Sequence, residues 1–201
     1  MNKININENY KIIKKISNSE ITLVYLSLDT KTNKEVILKK INPKFLVQNI
    51  EGIFHFKKEA KILKELVHPN IITLYDIIEK DHDFMMIMEY YQGKSLMEIS
   101  TRLDIEKKIW LFKSVCECLD FVHDKGVVHL DIKPSHILVN MTHNQKITNS
   151  IDFRLIDFGL SHLIDKNTVL SNKSLSGTIY YISPEQTGFL NRTIDQRSDL
   201  Y

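Results

Sequence analysis

Two short stretches of the sequence decide the fold: HLDIKPSHIL at residues 129–138 and IDFG at residues 156–159. In the first stretch Asp131 and Lys133 stand two positions apart, and in the second Asp157 follows a short apolar run. Phosphoryl transfer needs a cation for the phosphates, carboxylates for a metal ion and a base for the acceptor hydroxyl. The second half of the chain therefore contains residue types that this chemistry requires.

The residues before position 91 have the pattern of an antiparallel sheet. Apolar and β-branched runs separated by polar turns predict strands at residues 10–16, 22–28, 35–40, 71–79 and 84–90. Between the third and fourth of these, a helix is predicted over residues 53–67 and should end at His68-Pro69-Asn70. Its apolar residues recur at helical spacing: Phe56, Ala60, Leu63 and Val67.

One cation and one carboxylate in this part of the chain could form a pair. Lys39 ends the apolar strand Val36-Ile37-Leu38-Lys39, and Glu59 lies on the predicted helix between Phe56 and Leu63. Taken alone, Lys39 is typical of a solvated lysine at a strand end. Glu59 alone is equally typical of an exposed helical residue.

The pattern becomes helical after Gly93. Ser95 and Glu98 fit a capping box, and a helix is predicted over residues 105–125, ending at Gly126. Its predicted buried stripe is Ile109, Phe112, Cys116, Leu119 and Val122. We therefore expect a strand-rich part at residues 1–90, a linker at 91–94 and a mainly helical part at 95–201, with a ligand in the cleft between them.

Composition limits the classes of partner. Of the 201 residues, 43% are hydrophobic and 26% are charged, which is typical of a soluble globular protein, and the formal net charge of +2 does not favour nucleic acid as a partner. No apolar run approaches the roughly 18 residues needed to span a bilayer, and residues 1–10 lack a signal sequence, so a cytoplasmic protein is expected. The spacing of Cys116 and Cys118 predicts reduced thiols on a helix.

With these motifs in order, the chain from residue 10 to 201 resembles a eukaryotic-type serine/threonine protein kinase domain. Residues 129–138 look like the catalytic loop, and Asp157-Phe158-Gly159 matches the metal-binding tripeptide. Gly177-Thr178 and Ser183-Pro184-Glu185 resemble the end of an activation segment that would span residues 157–185. The resemblance implies an α+β fold: an N-lobe with a five-stranded antiparallel sheet and one helix, and a mainly helical C-lobe that is incomplete at residue 201.

The same resemblance implies ATP and Mg²⁺ or Mn²⁺ as cofactors and a role for each matching residue. Asp131 would be the catalytic base, Lys133 would neutralise the transferring phosphoryl group, and Asp157 would hold the metal ion. Lys39 would bind the α- and β-phosphates, with Glu59 as its ion-pair partner. Residues implied around the adenine ring are Val24, Ile37, Met88, Glu89, Tyr90, Tyr91 and Leu138, and those implied in an apolar stack that links the lobes are Leu63, Leu74, His129 and Phe158.

The sequence departs from the family pattern at several of these positions. Ser17, Ser19 and Thr22 replace the three glycines that normally lie over the phosphates, which should weaken or reshape nucleotide binding. His136 replaces an asparagine that holds a second metal ion, although imidazole is a poor ligand for Mg²⁺. Leu130 replaces an arginine that commonly pairs with a phosphorylated activation segment, which here contains Thr168, Ser171, Ser174 and Ser176.

Three interpretations remain open from the sequence. The first is a weakly active serine/threonine kinase that phosphorylates a protein substrate. The second is a pseudokinase that regulates a signalling partner, and the third is a truncated remnant. Residues 183–188, with Asn191 and Arg192, also resemble the N-terminal kinase-like domains of hybrid sensor histidine kinases, so further domains of a longer protein are expected. The resemblance also implies that Asp199 anchors the catalytic loop, and we expect no partner within residues 1–201 for Glu185 of the kind it has in the family, an arginine.

Overall fold

The computed structural model describes residues 5–7, 9–46, 50–80, 83–141, 151–159, 161–163, 179–188 and 192–201. The chain divides into two compact units. The first unit consists of residues 1–64 and 72–91, and the second of residues 65–71 and 92–201. The chain therefore passes from one unit to the other after residues 64, 71 and 91.

The first unit is built on an antiparallel sheet with the strand order β1-β2-β3-β4-β6-β5. The five predicted strands are confirmed, with small shifts at their ends. A three-residue edge strand that the sequence analysis did not predict precedes them. The strands are β1 Asn5–Asn7, β2 Tyr10–Asn18, β3 Thr22–Asp29, β4 Lys34–Ile41, β5 Leu74–Lys80 and β6 Asp83–Glu89.

The centre of this sheet separates an apolar face from the face that carries Lys39. Strands β4 and β6 are paired neighbours, and Val36, Leu38, Met85 and Ile87 pack into one buried cluster. Because successive side chains of a strand point to opposite faces, Lys39 projects from the face opposite to Val36 and Leu38. Strand β4 thus places the cation of Lys39 on one face of the sheet, while its residues on the other face pack into the hydrophobic core.

Among its described residues the first unit also contains two helices, α1 Pro43–Leu46 and α2 Ile50–Glu65. Helix α2 begins three residues before its predicted start and ends two residues before its predicted end. Because a residue that precedes proline is driven out of the helical conformation, Pro69 forces the chain to leave the helix early. Val67, predicted as the last apolar residue of this helix, lies beyond it with 80% of its surface exposed, so that prediction was wrong.

The second unit contains two α-helices within the described residues, α3 Leu96–Ile99 and α4 Ile105–Asp124. Short strands form two small sheets, with the orders β10-β9-β7 and β11-β8. The strands are β7 Lys94–Ser95, β8 Val127–Val128, β9 Ile137–Val139, β10 Phe153–Leu155 and β11 His162–Leu163. Single 3₁₀ turns lie at Ser100–Arg102, Pro134–His136, Ile179–Tyr181, Pro184–Thr187 and Gln196–Leu200.

The ends of α4 follow the expected chemistry. Asp104 caps the N-terminus, where its side chain accepts a hydrogen bond of 2.8 Å from the backbone N–H of Lys107. The chain leaves the helix at Gly126, whose φ of 72° lies in the left-handed region that glycine adopts without strain. Helix α3 does not have the predicted capping box, because Ser95 donates its hydroxyl to the Glu98 carboxylate at 2.8 Å and makes no bond to the backbone of the first turn.

The predicted buried face of α4 was wrong at three positions. Ile109 and Phe112 are 61% and 57% exposed, and Cys116 is also exposed. The buried residues are Leu111, Val115, Cys118, Leu119 and Val122. Both cysteines are free thiols, and burial raises the pKa of Cys118 to about 12. Helix α4 thus has two adjacent rows of apolar side chains. The row that contains Leu111 and Val115 is buried, and the row that contains Ile109 and Phe112 is exposed.

Candidate active site

The catalytic-loop stretch brings Asp131 and Lys133 together in the second unit. Lys133 Nζ donates a hydrogen bond of 2.8 Å to Asp131 Oδ2. Their side chains are only 14% and 11% exposed, so the ion pair is largely shielded from water. The loop runs from β8 into the 3₁₀ turn Pro134–His136, where a proline at the first position fits the turn because it has no N–H to satisfy. A carboxylate and an ammonium group are thus held within hydrogen-bonding distance of each other.

His129 supports this loop from inside the second unit. It is fully buried, its Nδ1 accepts the backbone N–H of Asp131 at 3.3 Å, and its Nε2 lies 3.3 Å from the carbonyl oxygen of Ile156. The carbonyl can only accept, so Nε2 carries the proton of a neutral ring. Burial lowers the pKa of His129, which keeps the ring in that neutral form. The ring also packs on Phe158, with 4.5 Å between the ring centres.

Asp199 holds the beginning of the same loop. Its Oδ2 accepts the backbone N–H of His129 at 2.8 Å, and its Oδ1 accepts that of Leu130 at 2.7 Å. His123, near the end of α4, lies 2.8 Å from Oδ2 as well. Charged acceptors make the stronger kind of hydrogen bond to backbone N–H groups. The role expected for Asp199 in anchoring the loop thus agrees with its contacts.

Two site residues have backbones in the left-handed region. Leu130 and Asp157 both have φ of 66°, a conformation that costs energy for a residue with a side chain. Leu130 pays this cost between two residues that the loop orients, His129 and Asp131. Neither conformation could be predicted from the sequence, because neither residue is a glycine.

His136 and Asp157 lie close together, and His136 Nδ1 is also 3.4 Å from Asp131 Oδ2. His136 Nδ1 is 3.0 Å from the backbone carbonyl oxygen of Asp131, and its Nε2 is 3.4 Å from Asp157 Oδ2. The histidine side chain is 10% exposed and the aspartate side chain 43%. Burial lowers the pKa of His136, against the raising effect of Asp157 and Asp131. The imidazole thus stands beside the carboxylate that the resemblance assigns to the metal ion.

Gln186 is a functional candidate that the sequence analysis missed. Its Oε1 accepts the backbone N–H of Ser183 at 3.1 Å and the Ser183 hydroxyl at 2.9 Å, which completes a capping box. Its Nε2 donates to the carbonyl oxygen of Leu130 at 2.9 Å. One amide therefore joins the 3₁₀ turn Pro184–Thr187 to the catalytic loop. The capping pattern of Ser183 and Gln186 was a signal in the sequence, but the link to Leu130 was not.

The predicted activation-segment residues have a mixed outcome. Gly177, Thr178 and the four upstream hydroxyl residues lie outside the described residues. Glu185 accepts a hydrogen bond of 2.5 Å from the Ser198 hydroxyl, and this bond lowers the pKa of its carboxyl group. Ser198 therefore binds the carboxylate for which the sequence analysis found no partner.

In the first unit, Lys39 and Glu59 form the expected ion pair. Lys39 Nζ lies 2.7 Å and 2.9 Å from the two carboxylate oxygens of Glu59. The side chains are 11% and 3% exposed, so neither the solvated lysine nor the exposed glutamate of the alternative interpretation is found. Helix α2 buries Glu59 in line with Phe56, Ala60 and Leu63, which explains how a carboxylate reaches a buried position.

The residues that replace the three glycines make a self-bonded hairpin tip between β2 and β3. Thr22 donates its backbone N–H to Ser19 Oγ at 2.9 Å, and Ser19 donates its own to the Thr22 carbonyl at 2.9 Å. Asn42 donates a side-chain bond of 3.1 Å to the Ser19 carbonyl. Ser17 is exposed and is paired with Val24 in the ladder. The backbone N–H groups of Ser19 and Thr22 are thus both bonded within the tip.

The residues expected around the adenine ring are divided between the two units. In the first unit Ile37 is directly opposite Met88 on the paired strands β4 and β6, and Val24 is opposite Lys39 on β3 and β4. Glu89 donates its backbone N–H to Thr73 at 2.8 Å, and Tyr91 is buried. In the second unit Leu138 is the middle residue of β9.

The fold and these contacts define a protein of the kinase class. A family model described as the protein kinase domain matches residues 10–201, and the chain belongs to this family. No helix within the described residues has the length and apolar character that crossing a membrane would need.

Similar proteins include two proteins named as serine/threonine-protein kinases, PrkC and cds1, and one named as a probable serine/threonine-protein kinase, PknB. PrkC of Bacillus subtilis is 30% identical over 96% of this chain, PknB of Lactococcus lactis is 27% identical over 96%, and cds1 of Schizosaccharomyces pombe is 31% identical over 94%. The chain spans 28%, 30% and 40% of the length of these relatives, respectively.

Proposed function

We propose that this chain is a serine/threonine protein kinase that transfers the γ-phosphoryl group of ATP to a protein hydroxyl with low activity. The observation that carries the proposal is the shielded pair of Asp131 and Lys133, 2.8 Å apart on a loop held by Asp199. The kinase relatives support the same chemistry. Low activity is proposed because serine and threonine replace the loop glycines and His136 replaces an asparagine.

Each charged residue has a defined task in the proposed reaction. ATP, when bound, supplies the phosphoryl group, and Mg²⁺ neutralises its phosphate charge. Asp131 orients the acceptor hydroxyl and takes its proton as the acceptor oxygen bonds to the γ-phosphorus and the bond to ADP breaks. Lys133 neutralises charge on the transferring group, and Lys39 holds the other phosphates. The residues proposed to contact the adenine ring are Val24, Ile37, Met88, Glu89, Tyr91 and Leu138.

The residues fit the metal ion only in part. Asp157 offers a carboxylate, the ligand that Mg²⁺ prefers, whereas the ring nitrogen of His136 does not suit a hard cation. Among the described residues there is no group of three or more His, Cys, Asp or Glu side chains that could hold a metal ion. The proposal therefore assigns Mg²⁺ to Asp157 and not to His136.

A γ-phosphate transfer assay tests the proposal. Purified protein is incubated with γ-labelled ATP, Mg²⁺ or Mn²⁺ and a generic basic acceptor protein, with Asp131→Asn as the blank. We expect label in the acceptor with the wild type and none above background with Asp131→Asn, which should still bind ATP. Equal labelling by both proteins would remove Asp131 as the base, and no labelling by the wild type would contradict the proposal.

The hairpin tip favours a second candidate, a pseudokinase that acts through a protein partner. The N–H of Thr22 is bonded to Ser19 within the tip, and so is not directed at a phosphate group. Melting with and without ATP and Mg²⁺ separates the candidates, since a ligand at 100 times its Kd stabilises by roughly 2.7 kcal/mol. No shift in melting, together with no transfer, would favour the pseudokinase.

A further inference from the structure

The side chain of Asn42 joins the hairpin tip between β2 and β3 to the start of α1. Its Nδ2 donates a hydrogen bond of 3.1 Å to the Ser19 carbonyl oxygen, and its Oδ1 accepts the backbone N–H of Lys44 at 3.2 Å. Its own backbone N–H donates to the Ile21 carbonyl oxygen at 2.8 Å. A carbonyl oxygen only accepts and a backbone N–H only donates, so these partners fix the orientation of the amide.

The tip that Asn42 contacts has two of its backbone N–H groups in internal bonds. Ser19 donates its N–H to the Thr22 carbonyl oxygen at 2.9 Å, and Thr22 donates its N–H to Ser19 Oγ at 2.9 Å. The Ser19 hydroxyl in turn donates to the Thr22 carbonyl oxygen at 3.1 Å. Backbone N–H groups bind a phosphate when they point at it. In this conformation both N–H groups point into the tip.

The tip lies near the cation that the proposed function assigns to the phosphates. Val24 on β3 is paired with Lys39 on β4, and Thr22 is paired with Ile41. Directly paired residues of antiparallel strands have their side chains on the same face of the sheet. Thr22 is two residues from Val24, so it shares the face of Lys39 at a distance of about 7 Å along the strand. Phosphates held by Lys39 would therefore lie near the tip.

The bonds of Asn42 resist the rearrangement that would turn the tip toward a phosphate. The N–H of Thr22 belongs to the same planar peptide group as the Ile21 carbonyl, so the two turn together. That carbonyl is bonded to the Asn42 backbone, and the Ser19 carbonyl is bonded to the Asn42 side chain. A tip that released its N–H groups would therefore lose its bonds to Asn42.

We infer that Asn42 is a positioning residue that holds the tip, residues 19–22, in its self-bonded conformation and thereby weakens nucleotide binding. The inference deepens the proposed function, on which it rests, by assigning part of the low activity to a residue outside the replaced glycines. When only the released tip binds well, the apparent affinity falls with the fraction of molecules in that state. The side-chain bond of Asn42 to Ser19 lowers this fraction.

The test removes the side-chain bond and keeps the cap of α1. In Asn42→Ser the shorter hydroxyl can still accept the Lys44 N–H, as serine does at the start of helices, but it does not reach Ser19. Calorimetric titration with a non-hydrolysable ATP analogue and Mg²⁺ should give a Kd about fivefold lower than that of the wild type, the effect of one hydrogen bond. The matched control Asn18→Ser changes an exposed residue of the same hairpin and should leave the Kd unchanged.

A second variant separates the tip from the helix cap. Asn42→Ala removes both side-chain bonds and should lower the Kd by the same factor as Asn42→Ser. In transfer assays both variants should lower the KM for ATP and leave kcat unchanged. A gain in affinity with Asn42→Ala but not with Asn42→Ser would assign the effect to the cap of α1 and overturn the inference.

Amide hydrogen exchange, followed by NMR without nucleotide, measures the release of the tip directly. The Thr22 N–H should exchange faster in Asn42→Ser than in the wild type, by the same factor as the fall in Kd. Faster exchange with an unchanged Kd would mean that Asn42 only stabilises the tip, and would overturn the inference. An unchanged exchange rate, or no detectable binding of the analogue by wild type and variants, would overturn it as well. Tighter binding by Asn42→Ser in a protein that transfers no phosphate would contradict only the proposed kinase activity.

Discussion

At the scale of single residues, the buried ring of His129 needs its two nitrogens in different states. Nδ1 accepts the backbone N–H of Asp131, and Nε2 donates to the Ile156 carbonyl. A second proton would remove the acceptor for Asp131 and would place a positive charge in a fully buried site. Protonation of His129 would therefore break the hydrogen bond that holds the backbone of Asp131, the proposed catalytic base.

This coupling predicts a stability that depends on pH. Burial lowers the pKa of His129 in the folded chain below its ordinary value of about 6.5. Below that pH the unfolded chain binds more protons than the folded chain, so the free energy of unfolding should fall as the pH falls. Above it, the contribution of His129 is fully present.

Guanidinium unfolding between about pH 5 and 8 measures this dependence. His129→Gln should have a flatter profile than the wild type. Some dependence should remain, because burial also lowers the pKa values of His68 and His136. A wild-type free energy of unfolding that stays constant or rises toward acid pH would contradict the prediction.

The ion pair in the first unit predicts a second effect on stability. Lys39→Met leaves the Glu59 carboxylate, which is 3% exposed, without its main cation. Breaking one side of a buried pair should lower the free energy of unfolding by about 3 kcal/mol. The double variant Lys39→Met with Glu59→Gln should be more stable than Lys39→Met, since an amide has no charge to bury. If denaturant unfolding gives Lys39→Met the same free energy of unfolding as the wild type, the ion pair does not stabilise the fold and the prediction is wrong.

The site residues differ in how far the sequence predicted them. Asp131, Lys133 and Asp157 stand in short motifs, so their types and spacing were sufficient to select them. Gln186 was missed because its bond to Leu130 spans 56 positions in the chain and depends on the loop being in place. The Ser198 partner of Glu185 was missed for the same reason, since a serine 13 positions away has no local pattern that marks it.

At the scale of elements, the turn at residues 184–187 is tied to the catalytic loop through one amide. Gln186→Glu keeps the size of the side chain but cannot donate to the Leu130 carbonyl. We expect kcat to fall about tenfold, the equivalent of roughly 1.4 kcal/mol, while KM for ATP stays the same. The matched control is Gln196→Glu, the same change at an exposed residue of the last 3₁₀ turn. Unchanged kcat in Gln186→Glu would show that the bond does not position the loop.

The hairpin between β2 and β3 predicts a gain of nucleotide affinity. Ser17→Gly with Ser19→Gly removes the hydroxyl that accepts the Thr22 N–H. The freed N–H should lower the Kd for ATP about fivefold, the equivalent of one hydrogen bond of roughly 1 kcal/mol. Asn18→Gly is the control, because it loosens the same tip and leaves both hydroxyls. Calorimetric titration that finds equal affinity in the double variant and the wild type would mean that the tip does not limit binding.

The elements themselves were predicted where the local pattern is strong. Alternation and polar turns were enough for strands β2 to β6, and Gly126 marked the end of α4 correctly. The buried face of α4 could not be chosen in advance. Its sequence contains two overlapping apolar rows, one with Ile109 and Phe112 and one with Leu111 and Val115, and packing against the rest of the second unit decides between them.

At the scale of the whole molecule, the groups proposed for the reaction are divided between two units. The first unit contributes the Lys39 and Glu59 pair, and the second contributes Asp131, Lys133 and Asp157. The division follows the chain, since the linker expected at residues 91–94 includes the last passage from the first unit to the second. The account therefore requires one chain to supply both the phosphate-binding cation and the base.

The measurement that tests this account most directly is a phosphoamino-acid analysis of the labelled acceptor. Wild-type protein and Asp131→Asn are compared with γ-labelled ATP and Mn²⁺, and the acceptor is hydrolysed to its amino acids. The account predicts label on serine or threonine, none on tyrosine, and none from Asp131→Asn. Label on tyrosine, or no label from the wild type, would contradict it.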